Sequence, residues 1–428
     1  MTGLRKEGFA REFTFTAACS ILDITQSKKQ RAAMALRGKS WMFRSEKRIL
    51  TTHAGALPRS PELTRLVLAK AAGEEKELEA LSVKLRDEVA EIVRKQSECG
   101  VDIVNDGELA KTNFNNYCLE RIAGYQTRPY EEGKSPQPLS IGARDARRFP
   151  DYFSGNVGGF ARFRKPKKQT FCIEPLRYVG QDSLQEDLDN FRASLASANV
   201  AGGFLPANTP GTIEHWMFND YYKTKEEFLF AVADCMAHEY RAIVDAGFEL
   251  QIDDPDLPDG WLMYPDMSVA EYRKYAHLRI EALNYALRDI PREKIRLHVC
   301  WGSFHGPHHD DIPLKDIIDL IFSVRAQSVS IEASNPAHEH EWRVFEDYKI
   351  PQGVVLIPGV IGHASDFIEH PELVAERIMR YAKLVGRENV IAGTDCGLGN
   401  RVGHGSIAWA KLEAMRKGAD LASRRLWG

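Results

Sequence analysis

The chain has 428 residues, 43% hydrophobic and 27% charged, with a formal net charge of −3. That composition suits a folded globular protein large enough for one big barrel or two modest domains, and it offers no excess of positive charge for nucleic acid or an anionic membrane surface. No run of eighteen apolar residues occurs, so no spanning helix is predicted; seven scattered cysteines with no C-x-x-C pair point to a reducing, cytoplasmic setting.

The first 49 residues carry eleven Lys and Arg against four Asp and Glu. Residues 1–47 read as a disordered basic extension, or as sequence ahead of a start at Met42, with a single domain over 48–428. Strand-like runs then follow in order: "RILTTH" (48–53), "VDIVND" (101–106), "GGFLPA" (202–207), "FELQIDD" (248–254), "KIRLHVC" (294–300), "QSVSIE" (327–332), "GVVLIP" (353–358) and "NVIAGTD" (389–395). Helix-favouring stretches lie between them, at 74–98, 225–246, 370–386 and 406–426. Ser60 ahead of Pro61 is a helix N-cap followed by proline in the first turn. Eight strands alternating with helices predict a (β/α)8 TIM barrel. No G-x-G-x-x-G follows the first strand, which counts against an open dinucleotide-binding sheet. Residues 125–200, rich in Arg, Pro, Gly and aromatics, read as an insertion between strands two and three.

In such a barrel, chemistry gathers at the carboxyl ends of the strands. Those exits are unusually polar: His53 after the first, Asp106 and Glu108 after the second, Asp253 and Asp254 after the fourth, His298 and Cys300 on the fifth, Glu332 on the sixth, His363 after the seventh, Asp395 and Cys396 after the eighth. His298 and Cys300 are two apart on one strand, so their side chains share a face. With Glu332 and Cys396 they make one nitrogen, two sulfurs and one carboxylate, a donor set suited to tetrahedral zinc and not to calcium or magnesium. The histidines of "FHGPHHDD" (304–311) and "AHEHEW" (337–342) are rival ligands.

In order, these motifs resemble the catalytic domain of cobalamin-independent methionine synthase from about residue 48 to 424. "THAGALPRS", "NDGE", "PGTIEHW", "QIDDP", "LHVC", "SIEAS" and "GTDCGLG" each have a counterpart there. The resemblance implies a (β/α)8 fold, zinc held by His298, Cys300, Glu332 and Cys396, and methyl transfer from a methyltetrahydrofolate-type donor to a homocysteine-type thiol. It also implies that Glu108 and Asp253 hold the acceptor's amino group and that Trp216 lies beside the pterin of the donor. His53 belongs to the opening motif and is a further substrate-binding candidate. His363 falls one place before the family's proton-moving histidine, and it, Asp106 and Asp254 are candidates to protonate the leaving group. Three departures stand out: there is no room for the family's second barrel, Ala56 replaces a serine, and Asp254 replaces a glutamate. Alternatives are alkylation of another thiol, as in epoxyalkane:coenzyme M transferase, and a metal-free barrel decarboxylase or lyase. The expected partners are small molecules only, and the chain is compatible with a monomer or a homo-oligomer.

Overall fold

The computed structural model describes residues 43–114, 116–136, 140–154, 167–399 and 401–428. The extension predicted over 1–47 therefore lies outside the described residues up to position 42. Residues 43–47 do not trail away: Phe43 packs against the interior cluster of Ile103, Phe204, Val355, Ile357 and Ile391, and the Ser45 hydroxyl donates to the Val390 carbonyl at 2.5 Å.

Eleven strands are present among the described residues: β1 (Leu50–Thr51), β2 (Ile103–Val104), β3 (Ile122–Pro129), β4 (Lys168–Tyr178), β5 (Gly202–Asn208), β6 (Met217–Asn219), β7 (Glu249–Asp253), β8 (Ile295–Val299), β9 (Ser328–Glu332), β10 (Val355–Ile361) and β11 (Ile391–Thr394). Eight form one parallel sheet in the order β1-β11-β10-β9-β8-β7-β5-β2. The ring closes where the Asp102 N–H donates to the Thr51 carbonyl at 3.0 Å, joining β2 to β1. All eight predicted strands are there, and the fold is a (β/α)8 barrel. Its central strands are buried along their whole length, which is why they read as nearly unbroken apolar runs. Arg296 on β8 lies wholly inside. Its guanidinium donates to the Thr52 hydroxyl and the His53 carbonyl, each at 3.0 Å, and covers the Phe204 ring. It thus ties the first strand to the fifth across the barrel.

The outer helices start as their sequences dictate. The Ser60 hydroxyl accepts from Leu63 N–H at 3.1 Å and caps Pro61–Ala71, and Thr224 caps Lys225–Asp245. Among the described residues, no helix is long and apolar enough to cross a membrane.

The segment between β2 and β5 holds the antiparallel hairpin β3–β4, with β6 alongside β4. It is narrower than predicted, because Gln181–Leu195 is a helix that packs on Leu78–Glu98 and belongs to the outer ring. The short helix Ala143–Arg148 anchors the insertion at the rim. Arg144 donates to the carbonyls of Trp261, Tyr264 and Met267, and its guanidinium stacks on the Trp261 ring at 3.3 Å. The buried Asp145 carboxylate accepts from Asp310 N–H at 3.0 Å.

Candidate functional site

The carboxyl rim of the barrel brings three of the four predicted ligands together. One ligand atom each from His298, Cys300 and Cys396 lies within 4.8 Å of the others. The two sulfurs are 4.0 Å apart, too far for a disulfide. Two ligands at the usual zinc–sulfur length in a tetrahedron stand about 3.8 Å apart, so the trio fits zinc with little movement. The imidazole is already oriented. Nδ1 of His298 pairs with the Ser330 hydroxyl at 3.1 Å, while Nε2 is buried with no hydrogen-bond partner. An orphan nitrogen facing two sulfurs is what a ligand histidine leaves when its second nitrogen is held by a neighbouring residue.

The charge state of the trio follows from its crowding. The hydrogen bond from the Cys300 thiol, helped by His298, pulls the Cys396 thiol well below its ordinary range. The same contact pushes Cys300 well above it. Burial works against a charge on His298, but Cys396 and Asp253 raise it on balance.

Glu332 ends β9 beside this trio but lies outside the set of atoms that share the 4.8 Å sphere. Its Oε1 accepts from Trp301 N–H at 2.9 Å and its Oε2 from the Asn335 side-chain amide at 2.7 Å. Asp395 holds that region in register. It accepts from the N–H groups of Ala333 and Ser334 and from the Ser334 hydroxyl at 2.7, 3.1 and 2.6 Å. This works only because β10 presents Gly359 at that point: a Cβ there would run into the Asp395 backbone and carboxylate.

Two of the five rival histidines are held elsewhere. His308 and His338 both pair with one oxygen of Asp311 at 2.9 Å, and His338 pairs with Glu341 at 2.8 Å. Burial opposes charge on His338, but the two carboxylates prevail and push its pKa up to about 10. The His338 ring stacks on Trp301 at 4.1 Å, beneath the residue next to Cys300.

The carboxylic acids form a second cluster. Burial pushes Asp253 and Asp254 each up to about 7, and Asp106 up to about 6. Asp253 accepts from the Gln251 amide at 2.6 Å, and Asp254 from Leu257 N–H at 3.1 Å. Glu108 adopts a left-handed backbone, φ 56°, uncommon for a residue with a Cβ. The bend aims its carboxylate at Gly55, where any side chain would collide with it. Glu108 already has a cation beside it: Lys111 Nζ is 3.2 Å away, donates to the Pro206 carbonyl at 2.7 Å and lies over the Tyr117 ring.

The remaining predicted residues differ in promise. His363 is 1% exposed, both of its ring nitrogens are unpartnered, and it lies close enough to act electrostatically on the Cys396 thiol. Trp216 ends the helix Pro210–Trp216 after β5 and is partly exposed. His53, predicted to touch substrate, has no free ring nitrogen. Nε2 pairs with the Gln96 side chain at 2.8 Å, Nδ1 accepts from Gly55 N–H at 3.3 Å, and burial pushes its pKa down to about 4. Two residues escaped the sequence reading. One is Lys111, three places after Glu108. The other is Asp259, whose buried Oδ1 has no partner and whose carboxyl is pushed well above its ordinary range by burial. The only sequence sign of Asp259 was its position five residues after the "DDP" exit.

A parallel barrel whose carboxyl rim gathers an imidazole, two thiols and several buried carboxyl groups is the frame of a barrel enzyme. The family model described as "Cobalamin-independent synthase, Catalytic domain" matches residues 175–421, and the chain belongs to that family. It is 25% identical over 379 residues to a methionine synthase from Thermococcus kodakarensis, covering 88% of this chain and 94% of that one. It is also 25% identical over 380 residues to a methionine synthase from Sulfolobus acidocaldarius, covering 88% and 93%. Among solved structures, a B12-independent methionine synthase from Shewanella sp. W3-18-1 in complex with selenomethionine shares the fold. Its TM-score is 0.64 at 18% identity, over 89% of this chain and 99% of that chain.

Proposed function

We propose that the protein transfers a methyl group to the sulfur of a small thiol, with a homocysteine-type acceptor and a methyltetrahydrofolate-type donor, at a zinc site formed by His298, Cys300 and Cys396. The observation that carries this reading is the convergence of those three donors with the His298 Nε2 left unpartnered. When bound, zinc supplies the Lewis acidity that strips the proton from an acceptor thiol at neutral pH, where a free thiol of pKa about 8.5 is only a few per cent ionised.

The chain's own residues do the rest. Glu332 is next to the trio and reaches it by giving up its bond to Trp301 N–H or to Asn335. Glu108 and Asp253 are carboxyl groups for an acceptor's ammonium group, with Lys111 tempering Glu108; the ammonium would draw Asp253, lifted by burial to about 7, into its charged form. Trp216, at the open edge of the rim, gives a flat surface to the donor's ring system. Methyl transfer leaves an anion on the donor that must be protonated. Asp254, with its pKa near 7, and His363, with two free nitrogens, are placed to deliver that proton, a contribution of roughly 10²–10⁴-fold.

The test is direct. Purified protein should carry one zinc per chain by elemental analysis and consume homocysteine when given methyltetrahydrofolate. X-ray absorption should gain a zinc–sulfur contact on thiol addition. A protein without zinc, or one whose metal shell ignores every thiol offered, would sink the proposal. If only another thiol is consumed, or another alkyl donor such as an epoxide is needed, the reaction class stands and the substrate pair is replaced.

A further inference from the structure

Lys411 stands out in the outer helix Gly405–Trp427. It occupies a core-facing position of that helix, flanked by the buried Ala408, Leu412 and Met415, and its side chain is 0% exposed. A plain packing position would hold an apolar residue there. Its ammonium meets the Glu369 carboxylate at 3.0 and 3.1 Å. The pair converges on one peptide unit. Lys411 Nζ donates to the Gly362 carbonyl at 3.0 Å, and the Gly362 N–H donates to Glu369 Oε1 at 2.8 Å. Both backbone polar groups of Gly362 are therefore held by one ion pair, and the next residue is His363.

A buried ion pair is a poor source of stability, because desolvating two charges consumes most of their attraction. What it does offer is fixed geometry. Beyond His363 the loop is exposed over 364–368, and its next fastening is Asp366, which accepts from Gly403 N–H at 2.7 Å. The His363 ring has no hydrogen bond of its own, so its aim depends on the backbone that precedes it.

We propose that Lys411 and Glu369 are positioning residues that set the direction of the His363 imidazole toward the thiol centre, although neither touches that centre. The inference rests on the reading of His363 as a proton carrier in the methyl transfer. Misplacing a reacting group by about 1 Å costs roughly 10²-fold in rate. Lys411→Met should therefore lower kcat by about 10²-fold while KM for the thiol changes less than twofold, and Lys411→Arg should recover most of the loss. If Lys411→Met does not fold because Glu369 is left buried and unpaired, Lys411→Met with Glu369→Gln removes both charges and replaces it. In the full-length protein with nitrogen-15-labelled histidine, the His363 ring signals, assigned by their loss in His363→Asn, should be single and sharp in the wild type and broadened or doubled in the Lys411 variant.

Sharp, unshifted His363 signals with an unchanged kcat in a folded Lys411 variant would overturn the proposal. So would a loss confined to KM. If His363→Asn itself leaves kcat unchanged, the proton-carrier reading fails, while the ring signals still decide whether Lys411 orders the imidazole. If His363→Asn lowers kcat and the Lys411 variant does not, the positioning role alone is wrong.

Discussion

His338 should make the stability of this protein fall with rising pH in a window where most domains are indifferent. The ring is buried between Asp311 and Glu341, and its pKa is pushed up to about 10 from an ordinary 6.5. A histidine whose folded pKa is raised contributes its full stabilisation below the unfolded value and loses it as pH climbs to the folded one. The folded state therefore holds the proton between about 6.5 and 10 while the unfolded chain has released it. Each pH unit in that window removes at most about 1.4 kcal/mol, so raising the pH from 7 to 9 should cost about 2 kcal/mol from this group alone. Urea denaturation of the wild type and of His338→Gln at both pH values isolates the term. Other titrating groups affect both proteins, so only the difference between their slopes is read. The variant should start less stable, by about 3–5 kcal/mol, because two buried carboxylates lose their cation. It should then decline less between pH 7 and 9. Equal declines in the two proteins would show that His338 is neutral in the folded state and that the two carboxylates share a proton instead.

Cys300→Ser removes one sulfur of the trio and should reduce bound zinc to under a tenth of an equivalent, roughly the loss expected when a thiolate ligand is replaced by a hydroxyl; circular dichroism should report an intact barrel, and full zinc retention would exclude Cys300 as a ligand. Asp254→Asn should lower kcat by about 10²-fold or more. Because burial holds Asp254 up to about 7, the wild-type rate should fall as pH rises through 7 and the acid deprotonates, and the variant should lose that limb in a pH–rate profile; a persisting limb assigns the proton elsewhere. His53→Leu should lower stability by about 1–3 kcal/mol in thermal melts, because the Gln96 side chain and Gly55 N–H lose a buried partner. It should leave KM for the thiol unaltered, and a rise in KM would restore His53 to the substrate site.

The convergence of His298, Cys300 and Cys396 was legible because strand periodicity is a strong constraint. Residues two apart on a fully buried strand must share a face, and eight strand exits must meet at one rim, so "LHVC" and "TDCG" could be joined without coordinates. His53 had the same credentials, since it too follows a strand in a polar motif. Its ring nitrogens are taken by Gly55 N–H and by Gln96, which reaches it from the helix Leu78–Glu98, 43 positions away in the chain, and no local pattern announces the second pairing. The insertion was overdrawn for a related reason. Its carboxyl part, Gln181–Leu195, has the amphipathic spacing of any outer barrel helix, and the unusual composition ahead of it coloured the whole segment.

Charge states lay further out of reach, and they separate a list of acids from a proton inventory. Asp253 and Asp254 are adjacent and chemically identical in sequence. Each is raised to about 7 by burial, yet their partners differ: His298 and Glu108 act on the first, Asp256 and His215 on the second. Asp253 therefore feels the thiol centre through His298, and Asp254 feels the His215–Asp256 pair. The division falls at the end of β7, whose last residue is Asp253; Asp254 is the first residue beyond the strand. A substitution at 253 should thus be felt first in acceptor affinity, and one at 254 in the proton-transfer step. The sequence supplies the two carboxyls, and their surroundings in the fold set them apart.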